Sequence, residues 1–168
     1  VNQGRSRTRI RLAKVLAWSG KHAEALALIG DIVKQNPDDL EMRIFQADVN
    51  VWAKNLDQAL ALYLPLVKDH PDNMAVAVGF ANAAAKSKAP ISEDATGQLL
   101  RLADRAASPD AKDPLLVARV AEAYATRLQE KDRAKQLALK AARMDPKDPI
   151  VRREVAFVLA HPDIGLYR

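Results

Sequence analysis

Residues 16–39 read LAWSGKHAEALALIGDIVKQNPDD and residues 50–73 read NVWAKNLDQALALYLPLVKDHPDN, a near-repetition at a spacing of about 34 residues. Trp18/Trp52, Ala25/Ala59, Leu26/Leu60, Ala27/Ala61, Leu28/Leu62, Val33/Val67, Lys34/Lys68, Pro37/Pro71 and Asp38/Asp72 coincide. Self-similarity at a fixed period of about 20–50 residues marks supersecondary units that cannot bury an apolar face alone and must stack on their neighbours. The 49% hydrophobic fraction is mainly Ala, Leu and Val with 5% aromatics, and Ala and Leu lose least on entering a helix. The repeat is therefore read as helical.

Each unit divides into two helices. The first unit predicts helices near 5–19 and 23–35, separated at Gly20 and closed by Asn36-Pro37. Glycine permits the backbone reversal past a helix end, and proline both interrupts the hydrogen-bond ladder and disfavours helix in the residue before it. The second unit predicts helices near 39–53 and 57–69 before His70-Pro71. Asp38-Asp39 and Asp72-Asn73 follow the prolines, where such side chains accept from the free N–H groups of the next helix. Pro65 inside the fourth helix removes one ladder bond and is expected to kink it. From Pro71 to Pro146 the chain runs two such periods and a surplus, which KSKAPISEDATG assigns to the third unit. Helices near 92–107, 115–129, 133–143 and 149–160 follow. The organisation expected is one domain over residues 1–168, with repeats at about 6–39, 40–73, 74–114 (holding the insertion) and 115–148, and a terminal helix at 149–160.

The pattern resembles the tetratricopeptide repeat, a helix–turn–helix of about 34 residues with W-x2-L-G-x2-Y, then A-x3-F, then P. Ala25-x3-Ile29 with Pro37, Ala59-x3-Tyr63 with Pro71, and Ala134-x3-Ala138 with Pro146 carry the resemblance, and Leu12, Ala13 and Leu16 stand at the family's Leu, Gly and Tyr positions. Small Ala13 recurs as Ala47 and Ala81 and suits close helix approach. Arg9 and Arg43 depart from the family's Trp, while Gln46 and Asn50 place amides at the packing seam, where an unpaired buried amide costs about 1–3 kcal/mol. The resemblance implies an all-α, right-handed α-solenoid of about four helix pairs plus a terminal capping helix. The VLAWSG and VWAKN junctions before ALAL are also similar to repeats of bacterial secretion and exopolysaccharide-export proteins.

Charge is concentrated at one end. Arg5, Arg7, Arg9, Arg11, Lys14 and Lys21 lie in the first 21 residues without an acid, leaving 20 basic and 21 acidic side chains elsewhere in a chain of net +5. Such a block attracts acidic partners, acidic lipid or nucleic acid, and as a solvated helix face it needs none of them. The sequence has no apolar run of about 18 residues and no signal-like segment, so a soluble protein of bacterial periplasm or cytoplasm is expected. The start at VNQG, without Met, leaves open a longer parent chain. Zero cysteines excludes disulfides and thiolate metal sites. His22, His70 and His161 have no second His or carboxylate three or four residues away, the spacing a helical metal site needs. His161-Pro162-Asp163 reads as a helix terminator. With no phosphate-cradling glycine loop or nucleophile elbow, no enzyme activity and no cofactor are expected. Glu24, Asp57 and Asp132 open second helices, where a negative charge favours the helix dipole.

What remains is a surface. The resemblance implies a concave face lined by first helices, and carries Arg7, Ile10, Lys14 and Trp18 onto it from the first unit. Ile44, Asp48 and Trp52 follow from the second, Val78, Asn82 and Lys86 from the third, Arg119 and Arg127 from the fourth, and Arg153 from the last helix. The binding set expected is Arg7, Lys14, Trp18, Asp48, Trp52, Asn82, Lys86, Arg119 and Arg127: a basic groove with two indoles that are either core or contact residues. It suits an acidic or amphipathic segment or helix of another protein. The alternative is a periplasmic scaffold touching an anionic exopolysaccharide. Nucleic acid ranks lowest, and self-association through the solenoid ends is open. The Lys/Asn/Asn/Lys/Arg carboxylate grip of chaperone-binding relatives is not reproduced, since Asp48 adds a negative charge.

Overall fold

The computed structural model describes residues 2–161, with side chains from residue 6 onward. The side chain of Arg5 and the Pro162-Asp163 dipeptide lie outside the described residues. Among the described residues the chain is helical throughout, with no strand. The helices are α1 (Asn2–Trp18), α2 (His22–Gln35), α3 (Leu40–Trp52), α4 (Leu56–Asp69), α5 (Met74–Lys86), α6 (Glu93–Ala107), α7 (Pro114–Ala123), α8 (Lys131–Met144) and α9 (Pro149–Ala160). A π-helical stretch, Tyr124–Leu128, extends α7.

Local chemistry sets these boundaries. Every first helix after α1 is opened by a side-chain cap: Asp39 accepts from the Met42 N–H, Asn73 from Val76, Asp113 from Leu116 and Asp148 from Ile150 and Val151. Each bond satisfies a donor that the helix start leaves free. Inside the first, second and fourth pairs, the reversal uses one left-handed residue: Gly20 at φ 81°, Lys54 at φ 65° and Gln129 at φ 54°. Gly20 has open space around a hypothetical Cβ, so it is the dihedral, not crowding, that favours glycine there. α4 runs through Pro65. The flanking Tyr63, Leu66 and Val67 are buried, and that tertiary burial offsets the lost ladder bond.

The repeated residues are the core. Ala13, Ala47 and Ala81 are fully buried, as are Ala25 and Ala59, Ile29 and Tyr63, and Ala134 and Ala138. Small side chains at these positions let helices approach at short interaxial distance. The buried amide of Asn50 donates to the Gln46 carbonyl at 2.9 Å, and its oxygen accepts from Asn55 at 3.4 Å. The seam amide is thus satisfied locally.

Successive helices pack in chain order from α1 to α5. The first helices also pack on one another, α3 on α5 and, more closely, α5 on α7 and α7 on α9, while α6 leans on α7 and α4 more than on its own partner α5. The spacing explains this. The third pair opens at Met74, the fourth at Pro114 and the last helix at Pro149. The first of these steps exceeds the period by several residues, the second by a single one. Most of the surplus lengthens the loops on either side of α6, and the last residue is taken up inside the helix by the wider π-helical turn.

Candidate binding face

The first helices form the row from which the candidate residues project. At its N-terminal end Arg7 is exposed, and Lys14 is bonded at 2.9 Å to Glu41 of α3. Trp18, the last residue of α1, is 70% exposed. Trp52, the last residue of α3, is 41% exposed and meets Phe45 edge-on, with ring centroids 5.9 Å apart. Neither indole belongs to the core. Asp48 has a different surrounding: its carboxylate accepts the Tyr63 hydroxyl at 2.5 Å. Burial pushes the Asp48 carboxyl upward, the Tyr63 bond opposing it, and desolvation raises the tyrosine likewise. The ring of Tyr63 lies over Gly79, where a Cβ would fall 2.3 Å from its ring carbon.

Farther along, the charges turn inward. Arg119 of α7 is 8% exposed and reaches Glu154 of α9 at 2.7 Å and Glu122 at 3.4 Å. Lys86 of α5 stands 4.0 Å from Glu122, and Arg153 holds the other oxygen of Glu154 at 2.9 Å. Glu122 and Glu154 are 3% and 4% exposed. Desolvation first, helped by the hydrogen bond and charge of Glu154 and opposed by Lys86 and Arg119, pushes the Glu122 carboxyl up to about 7. Glu154 moves the other way: burial alone would raise it, but Arg119 and the Glu122 bond together outweigh that and lower it. Of the two carboxyls Glu122 is therefore the one that holds a proton more readily, and when protonated it donates to the Glu154 carboxylate. Burial lowers Lys86, against the pull of Glu122. Beside this group the amide oxygen of Asn82 is buried with no hydrogen-bond partner among the described residues.

Arg127 serves the loop after α5. Its guanidinium donates to the carbonyl of Ser87 at 2.8 Å and to that of Ala89, at the negative end of a helix where a cation is favoured. Asp57 answers from α4, accepting from the Ser87 hydroxyl at 2.6 Å and from the Lys88 and Ala89 N–H groups. The Ser87 hydroxyl first, then these N–H groups and Arg127, hold the Asp57 carboxyl below its ordinary value. Of the other inward-register residues, Ile44 and Val78 pack against the core.

Sequence reasoning did not single out Glu122 and Glu154. Lys14, Asp48 and Asn82 are each one period apart, and Glu122 occupies the same helix position as Asn82 once the longer step from α5 to α7 is applied. Arg119 and Glu154 correspond in the same way across the step from α7 to α9. The exact period was the available signal, and the insertion displaced it.

No protein-family model matches the sequence, and no curated protein matches it. Solved structures do. TTC0263, a thermophilic tetratricopeptide-repeat protein of Thermus thermophilus, superposes with a TM-score of 0.65 at 22% identity, over 92% of this chain and 81% of its own. A tetratricopeptide repeat protein from Parabacteroides merdae ATCC 43184 gives 0.65 at 15% identity, over 92% of this chain and 59% of its own. The chain has the tetratricopeptide-repeat fold. MamA AMB-1 is similar as well, with a TM-score of 0.61 at 19% identity over 92% of this chain and 81% of that one. In a tetratricopeptide solenoid each pair contacts its neighbours, and the Lys86–Glu122–Arg119–Glu154 group ties three successive first helices of this one together. No described helix is long and apolar enough to cross a membrane.

Proposed function

We propose that this tetratricopeptide solenoid is a non-enzymatic scaffold that holds an acidic or amphipathic segment of another protein along its row of first helices. The observation that carries this reading is the pair of large indoles, Trp18 and Trp52, left 70% and 41% exposed at the ends of consecutive first helices. Tryptophan offers a large apolar area at low entropic cost and is enriched where partners anchor. Exposed Arg7 and Arg11 lie along the same first helix, and Lys14 with Glu41 forms a surface pair that a competing carboxylate can open. Lys86 and Asn82 extend the contact row, and Asp48 marks a point where a partner donor is met. Arg119 and Arg127 serve it indirectly, by fixing the first helices and the loop after α5.

The test is a tryptophan-emission titration of the full chain with an amphipathic helical peptide of Glu and Leu. Binding that shifts emission, weakens at least about tenfold with Trp52→Ala, and falls between about 0.05 and 0.2 M salt supports the reading. Emission that does not change, or affinity indifferent to Trp18→Ala, Trp52→Ala and Lys86→Glu, overturns it. A parallel titration with an anionic uronate polymer addresses the exopolysaccharide alternative, in which the same indoles stack on sugar rings.

A further inference from the structure

On the other side of the solenoid, between second helices, a cleft of about 320 Å3 opens between α6 and α8. Ala103, Asp104 and Ala107 of α6 face Arg133, Gln136, Leu137, Lys140 and Arg143 of α8 across it. The floor is apolar, with Ala103, Ala107 and Leu137, and Tyr124 of the π-helical stretch lines it. Tyr124 is 1% exposed, yet its buried hydroxyl has no hydrogen-bond partner among the described residues. A buried hydroxyl left without a partner carries a cost of about 1–3 kcal/mol, so a group that accepts from it is favoured there.

The wall supplied by α8 is cationic. Arg133, Lys140 and Arg143 recur along one face with Gln136 between them. Arg143 has no ion pair or hydrogen bond among the described residues. Arg133 uses its Nε on Glu130 at 3.5 Å, which leaves the outer fork of its guanidinium. Lys140 donates to the carbonyls of Ala106, at 2.7 Å, and Ser108, so one of its three N–H donors remains. Asp104 is the acid in the lining. Against Asp104 and Glu130, the three cations leave the cleft positive.

We infer that this cleft binds a small organic oxyanion, a phosphate monoester or a carboxylate. Its charged head lies between Arg143, the Arg133 fork and Lys140. It accepts the Tyr124 hydroxyl, and its short apolar body lies on Ala103, Ala107 and Leu137. Arginine forks match both head groups by paired N–H donors, and the volume suits a ligand of this size. Asp104 at the cleft accepts from a hydroxyl or amine on the ligand body. The site is separate from the tryptophans, so either proposal can fail alone.

The test is an amide-shift NMR titration of the full chain with phenyl phosphate, benzoate and inorganic phosphate. Saturable binding with a Kd below about 1 mM for phenyl phosphate or benzoate, tighter than for inorganic phosphate, is expected. Which of the two binds better identifies the head group. Arg143→Gln is expected to weaken binding about tenfold. Tyr124→Phe is expected to weaken it several-fold while leaving thermal stability equal or higher, because it removes an unpartnered hydroxyl. Lys112→Gln, outside the cleft, is expected to change nothing. The inference is overturned by absence of saturation up to about 10 mM, or by binding that Tyr124→Phe and Arg143→Gln leave intact.

Discussion

At the scale of single residues, the repeat is held in register by side chains that fit only because a neighbour is missing atoms. Tyr63 stands where the first repeat has Ile29, and its larger ring is accommodated by Gly79 in the adjoining helix, where a Cβ would lie 2.3 Å from the ring and 2.4 Å from the hydroxyl. Tyr63 is fully buried, so it cannot swing aside into solvent. Gly79→Ala gains about 1 kcal/mol of helix propensity and loses more, since the ring must leave Asp48 and overpack the seam at about 1–3 kcal/mol. Thermal unfolding of Gly79→Ala is therefore expected at lower temperature than wild type, and the double variant with Tyr63→Ile is expected to recover part of the loss. A Gly79→Ala protein as stable as wild type, with Asp48 unshifted by NMR titration, would remove this account of the seam.

At the scale of elements, three first helices are joined by charges that sequence inspection reads as separate surface cations. Glu122 is the centre of this group, and its carboxyl lies at about 7 because burial opposes its ionisation. The sign follows from the shift. The folded state binds this proton more readily than the unfolded state, so the stability it contributes is complete below the ordinary glutamate value of 4.5 and is lost as pH rises through about 7. Glu154, held down by Arg119 against the effect of its burial, contributes in the opposite sense, and its contribution is lost as pH falls below the ordinary range. Glu122→Gln keeps a donor toward Glu154 and carries no charge. Its unfolding free energy is expected to match wild type near pH 5 and to exceed it near pH 8 by on the order of 1–2 kcal/mol. Urea denaturation at the two pH values measures this, and a wild-type decline that persists unchanged in Glu122→Gln would show that another group titrates.

At the scale of the whole molecule, the parts legible in the sequence are those fixed by local chemistry at a constant period. Gly20, the Pro-Asp loops, Ala13/Ala47/Ala81 and the A-x3-large spacing specify helix ends and close approaches, and all depend on neighbours within one unit. The site was less legible: where Arg119 and Arg127 point depends on a short surplus divided among two loops, α6 and a π-helical turn, and on partners about 30–40 residues away. The division of the core was illegible for the same reason. Ala13, Ala17, Ala25, Ile29, Ile32, Met42 and Val49 form one buried cluster, and the residues from Ala47 to Val158 form another, much larger one. The two meet within α3, which turns Met42 and Val49 to the first pair and Ala47 to the rest. Because stability in such arrays is a sum of unit and neighbour terms, the smaller cluster is expected to open by itself. Hydrogen exchange should give the amides of α1 and α2 a lower opening free energy than those of α5 and α7. Ile29→Ala, a cavity worth about 2–5 kcal/mol in a well-packed core, should speed exchange in α1 and α2 while leaving α7 nearly unchanged. Exchange that accelerates equally along the chain would mean that the solenoid opens as one unit, and that α3 transmits what the separated clusters say it divides.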